Sequence, residues 1–115
     1  MYAQATTIRA PLGTMFQMRQ VIEQDYLPVV RSREGFVSAQ FLEQIDDPDS
    51  ALLIVCWSNQ AAVENFNRTN MLDASVQTLA ARVPGVRLHR EGYQISVHMS
   101  PDAASQDTQS PARTS

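Results

Sequence analysis

The chain has 115 residues, 43% of them hydrophobic and 18% charged, which fits one domain with a buried core and excludes an intrinsically disordered protein. Nine basic residues, all arginine, stand against 12 acidic ones for a net charge of -3, and they are interleaved with carboxylates, so a grip on a nucleic-acid backbone is excluded. No apolar run reaches the ~20 residues of a membrane helix, the first residues lack the pattern of a signal peptide, and the lone Cys56 makes no internal disulfide, so a soluble cytoplasmic protein is expected.

Tyr2 to Arg9 reads as a first strand, β-branched at Thr6, Thr7 and Ile8. Gly13 breaks it, and Thr14-Met15-Phe16-Gln17 has the spacing of a capping box. Met15, Met18, Ile22, Tyr26 and Val29 then recur at steps of three and four, the signature of one helix face. Pro28 lacks a backbone donor and is expected to kink or restart this helix before Gly35. Phe36 to Ile45 and Ala51 to Trp57 read as two strands joined by the turn-rich Asp46-Asp47-Pro48-Asp49-Ser50. Ser58 or Asn59 can cap a second helix carrying Val63 and Phe66, which breaks near Thr69 and restarts at Asn70 to Asp73. Met71, Leu72, Val76, Leu79 and Val83 continue its apolar face until Pro84-Gly85. Val86 to Met99 is the final strand, with a bulge expected at Gly92.

The order β-α-β-β-α-β is the split-βαβ, ferredoxin-like pattern, an α+β fold with a four-stranded antiparallel sheet and both helices on one face. The folded domain is expected over residues 1–99. Residues 100–115 hold no large apolar side chain and read as a flexible tail. Ala51 to Trp57 is apolar on both faces, with Leu53, Val55 and Trp57 on one and Leu52, Ile54 and Cys56 on the other. A sheet with one wet face alternates apolar with polar, and the helices cover one face only. A second copy of the chain is the expected cover for the other face.

Several chemistries leave no trace. His89 and His98 are an odd number of residues apart on one expected strand, and Cys56 lies on another, so no zinc-type ligand set forms. The four glycines are dispersed, which removes a phosphate-cradling loop. No Gly-x-Ser-x-Gly elbow is present. Asp46, Asp47 and Asp49 lack the downstream ligands of a calcium loop and read as a solvated turn. What remains is a cavity between sheet and helices that Trp57, Phe66, Met15, Met18, Met71 and Tyr26 could line, although each of these taken singly reads first as a core residue. Trp57 and Tyr26 stand out, because a buried indole N–H or phenol O–H needs a partner.

The run Arg33-Glu34-Gly35-Phe36, the strand end Val55-Cys56-Trp57-Ser58-Asn59 and the helix through Ala62 and Phe66 resemble the antibiotic biosynthesis monooxygenase (ABM) domain of the dimeric α+β barrel superfamily. The resemblance covers nearly the whole folded part. It implies a homodimer whose sheets pack into a barrel, and oxygenation of quinols, anthrones or heme, often without metal or flavin. Polyketide-type members resemble this chain at Trp57 but carry an asparagine where Leu53 stands. Quinol-type members often have histidines at the positions of Phe66 and Met71. Heme-degrading members have a tryptophan at the Phe66 position and a histidine where Ser75, Val76 and Gln77 stand. The usual proline before the glycine is Glu34, and the usual glutamate after the tryptophan is Ser58.

The resemblance therefore implies a cofactor-independent monooxygenase for a small aromatic, quinol or polyketide-like substrate, with no metal and no other cofactor. Its expected site has Trp57 and His98 as catalytic residues and Thr7, Tyr26, Leu53, Phe66 and Met71 as substrate-binding residues. The base is His98, Tyr26 or a bound water. The alternative is a non-catalytic ligand-binding or stress-associated barrel, and the distinguishing feature is whether a titratable group faces the pocket. An RNA-binding domain of the same strand order is excluded, since it displays aromatics on a basic sheet face.

Overall fold

The computed structural model describes residues 1–68, 77 and 79–101, with the side chains of 66–68 left out of the description. Its elements are β1 (Tyr2–Arg9), α1 (Met15–Val21), a π-helical turn (Ile22–Tyr26), α2 (Leu27–Arg31), β2 (Phe36–Glu43), β3 (Ser50–Trp57), α3 (Gln60–Arg68) and β4 (Arg87–Gln94). All three strand pairs are antiparallel and the sheet order is β2-β3-β1-β4. This is the ferredoxin-like α+β arrangement that the element order predicts. The expected helix break near Thr69, the cap at Asn70 to Asp73, the apolar positions Met71, Leu72 and Val76, and residues 102–115 of the tail lie outside the described residues.

Alternation in β3 sets the layers. Ala51, Leu53, Val55 and Trp57 are buried against the helices, while Leu52, Ile54 and Cys56 on the opposite face are half-buried. Met15, Met18, Ile22 and Tyr26 bury the helical face, as their spacing predicts. Met18 and Val30 are fully buried, and side chains of this kind stabilise the fold by roughly 1.5–3 kcal/mol each.

Pro28 does restart the helix, and the way it does so corrects the expected face. The proline has no N–H and its ring crowds the carbonyl of Gln24, so the preceding turn widens. The Leu27 N–H reaches the Ile22 carbonyl, five residues back. The extra residue keeps steps of four in line, so Val30 takes the buried position expected for Val29.

Other local expectations change for similar reasons. Thr14 makes no capping box: its hydroxyl donates to the Pro11 carbonyl at 2.7 Å, so the turn before α1 consumes it. Asn59, by contrast, caps α3 by accepting from the Ala62 N–H at 2.8 Å. The register irregularity is in β2, between Phe36 and Ser38, and not at Gly92, which pairs regularly with Gln4. β4 ends at Gln94, because its partner β1 starts at Tyr2 and no strand remains to pair beyond it. His98 is therefore not on a strand, and the parity argument about the two histidines does not apply to it.

Candidate active site on the inner sheet face

The site is built from the inward-facing residues of β1. Ile8 points to the core, so by the two-residue period of a strand Thr6 and Gln4 do too. They are 5% and 3% exposed, and buried polar groups of this kind require partners. The Trp57 indole N–H donates to the Gln4 Oε1 at 3.0 Å. Phe36 meets the indole edge-on, with ring centroids 6.2 Å apart. One row along, Thr6 pairs across the sheet with Arg90 of β4, and the Arg90 Nε donates to the Thr6 Oγ1 at 3.3 Å.

Tyr26 comes from the π turn and its phenol meets the Arg90 guanidinium. Burial pushes the Tyr26 phenol above its ordinary value, against a smaller opposing pull from the Arg90 charge and hydrogen bond. At neutral pH it is consequently a neutral phenol and not a phenolate base. Arg90 is half-buried and, among the described residues, has no carboxylate partner. Glu43, exposed at the end of β2, is held at the far end of the sheet by a two-pronged bond from Arg19, at 2.5 and 2.8 Å.

Beside this row lies a cleft of about 330 Å³, lined by Tyr2, Gln60, Val63, Glu64, Gly92 and Gln94 among others. Gly92 is the next inward position of β4 after Arg90, about 7 Å along the strand at ~3.3 Å per residue. A side chain at Gly92 would meet nothing within 4 Å, so its absence widens the cleft. The polar row Gln4, Thr6, Arg90 and Tyr26 thus runs from a fully buried indole toward an open groove.

The expected site residues divide. Trp57, Tyr26 and Leu53 share the inner face, and Leu53 pairs directly with Thr6. Thr7 lies on the opposite face, exposed, across from Leu52 and His89. His98 is exposed beyond the end of β4. The Phe66 side chain and Met71 lie outside the described residues. Sequence reasoning missed Gln4, Thr6 and Arg90. The signal was the parity of β1: counting back from Ile8 puts two polar residues inside.

Elsewhere the acidic turn is saturated by its own chain. Asp47 accepts from Arg9, Ser50 and the Asp49 N–H, which hold its carboxyl below the usual range. Among the described residues no three of His, Cys, Asp and Glu cluster as metal ligands, and no helix is long and apolar enough to cross a membrane.

A four-stranded antiparallel sheet in the order β2-β3-β1-β4, with a buried tryptophan at the end of its third strand and a polar inner row, defines an α+β domain of ferredoxin-like topology. The chain belongs to the antibiotic biosynthesis monooxygenase family, whose model matches residues 1–78. It is similar in fold to a protein of that family from Deinococcus radiodurans, with a TM-score of 0.74 and 17% identity over 87% of this chain and 97% of that one. It is likewise similar to SnoaB, a cofactor-independent oxygenase from Streptomyces nogalater, with a TM-score of 0.69 and 13% identity over 85% of this chain and 96% of the other. A variant of MhuD, solved with two manganese protoporphyrin IX molecules per active site, has a TM-score of 0.62 and 12% identity over 87% and 99% of the two chains. No curated protein sequence matches the chain.

Proposed function

We propose that the protein is a cofactor-independent monooxygenase that holds a small aromatic, quinol or polyketide-like substrate on the inner sheet face. The observation that carries this reading is the buried Trp57 indole, fixed by Gln4 at 3.0 Å and adjoining a row with two titratable groups, Tyr26 and Arg90. The alternative, a non-catalytic binding barrel, is expected to have an apolar cavity, and the row of Gln4, Thr6, Arg90 and Tyr26 is polar. SnoaB, of the same fold, is described as a cofactor-independent oxygenase, which supports the reading by analogy.

The chemistry balances without an external reductant. A ring methylene of an anthrone-like substrate loses a proton to a bound water, the resulting carbanion gives an electron to O₂, and the two radicals join as a peroxide anion that takes the proton back. Loss of water from the peroxide leaves a carbonyl, so CH₂ and O₂ become C=O and H₂O. The protein's part is to orient the ring against Trp57, keep water out, and stabilise the anion. Tyr26, a neutral phenol, acts as a hydrogen-bond donor in this scheme. We also propose a homodimer joined through the open sheet face, where Ala3, Ala5, Leu52, Ile54 and Cys56 are half-buried and Leu42 is 42% exposed.

Oxygen uptake tests the reading. With anthrones and simple hydroquinones the purified protein should consume O₂ above the background rate, unchanged by added flavin or metal. Absence of uptake with every member of the panel, or uptake only with added flavin, refutes it.

A further inference from the structure

Among the inward positions of the four strands, Arg90 is unusual. Its inward neighbours on β1 are Gln4 and Thr6, both neutral, and Tyr26 above it is held in its neutral form. Glu43, exposed at the end of β2, is taken by Arg19 at the far end of the sheet. Among the described residues the half-buried Arg90 guanidinium donates to the Thr6 hydroxyl, lies beside the Tyr26 phenol and pairs with no carboxylate, and its fork geometry suits an oxyanion better than any neutral acceptor. The next inward residue of β4 is Gly92, which opens onto the 330 Å³ cleft.

We propose that Arg90 is an anion-holding residue and that the ligand of this site is an aromatic compound bearing a ring-attached oxyanion, its ring lying over Gly92. The inference rests on the proposed site and narrows its substrate class. The carboxylate on the described wall of this cleft, Glu64, accepts from the Gln60 amide at 3.1 Å, which leaves the ligand's oxyanion to Arg90. By binding the ionised form more tightly than the neutral one, Arg90 raises the fraction of substrate present as the electron-rich anion.

Paired probes read this at equilibrium, with no turnover involved, so loss of the oxygenase reading and loss of this one are separate results. The pairs are 2-naphthoate with 2-naphthamide, and 4-nitrophenolate with 4-nitroanisole, titrated by calorimetry at neutral pH. Trp57 is the single tryptophan of the chain, and its indole N–H signal in a nitrogen-edited spectrum locates binding at the site.

In the native protein at least one anion should bind ~10-fold or more tightly than its neutral mate, equivalent to ~1.4 kcal/mol, and shift the indole signal. Which pair shows it separates a carboxylate from a phenolate. Arg90→Gln should bring that ratio to within ~2-fold and Arg90→Lys should retain most of it. Arg87→Gln, on the outer face of the same strand, should change nothing. Equal binding within both pairs, no binding of any probe, or a preference that survives Arg90→Gln or vanishes with Arg87→Gln overturns the proposal. If Arg90→Gln fails to fold, Arg90→Met read beside the folded Arg90→Lys carries the same test, and equal binding within both pairs in the native protein still overturns the proposal.

Discussion

Gly35, in the turn between α2 and β2, packs against α3, and its replacement by alanine tests the packing that positions Trp57. The residue has φ +88°, in the left-handed region, and its carbonyl accepts from the Ser58 N–H at 2.8 Å, one residue after Trp57. An alanine Cβ placed there would lie 2.4 Å from the Ala62 Cβ. Carbon atoms in ordinary contact stand ~3.5–4.0 Å apart, so α3 must retreat by about 1 Å. Left-handed backbone costs an L-residue ~1–2 kcal/mol, and overpacking of this kind adds ~1–3 kcal/mol. Gly35→Ala should thus cost ~2–5 kcal/mol, a large share of the ~5–15 kcal/mol that holds a typical domain together. Urea unfolding followed by circular dichroism measures it as a lower midpoint at unchanged slope. Ala62→Gly alone should cost ~1 kcal/mol through helix propensity. The double variant removes the clash and keeps the backbone strain, so it should be less damaged than the sum of the singles by at least ~1 kcal/mol. A Gly35→Ala cost under ~0.5 kcal/mol, or strict additivity with Ala62→Gly, would show that the close approach to α3 does not control stability.

Trp57→Phe removes the bond to Gln4 and part of a fully buried ring, and should destabilise by ~1–3 kcal/mol while lowering affinity for an aromatic ligand at least ~10-fold beyond that; an affinity loss no larger than the stability loss would leave Trp57 a core residue only. Leu53→Asn adds an amide beside Thr6 and should raise anthrone turnover; a protein that merely melts earlier, with turnover unchanged, contradicts the proposed substrate class. Ile54→Lys, on the open sheet face, should convert a sedimenting dimer to monomer at micromolar concentration, and a native protein already monomeric there would exclude the proposed interface. Asp47 and Glu43 both have folded-state carboxyls held below the ordinary range, chiefly by hydrogen bonds from Asp49 N–H and Arg19 respectively. Their contribution to stability is complete above the ordinary carboxylate range and is lost as pH falls through the lowered values, so the melting temperature should drop on acidification and Glu43→Gln should flatten that drop.

Local chemistry made much of the fold legible. The alternation of Ala51 to Trp57 decides which side chains face the helices, because the side-chain period of a strand is two whatever it packs against. Asn59 caps α3 and Pro28 restarts a helix for reasons contained within a few residues. The apolar spacing of Met15, Met18, Ile22 and Tyr26 likewise survives in the folded chain.

The site was legible chiefly in its hydrophobic half. Trp57, Tyr26 and Leu53 were identifiable by size and polarity, and Gln4 and Thr6 share the parity of Ile8 within β1, whereas Arg90 looks like an ordinary surface residue until the sheet register turns it inward. Register is a relation between strands distant in sequence, and a shift of one residue would send Arg90 outward and His89 inward. That same relation places Thr7 on the open face and ends β4 before His98. The widened π turn belongs with these, since the missing N–H of Pro28 predicts a break but only packing of Tyr26 and Val30 against the sheet selects how the break is accommodated. The sequence by itself thus determined the elements, their order and the apolar face, because these follow from residue type and spacing. Which polar groups meet inside was decided by the tertiary structure, because burial of a polar side chain depends on the partner that pairs with it across the sheet.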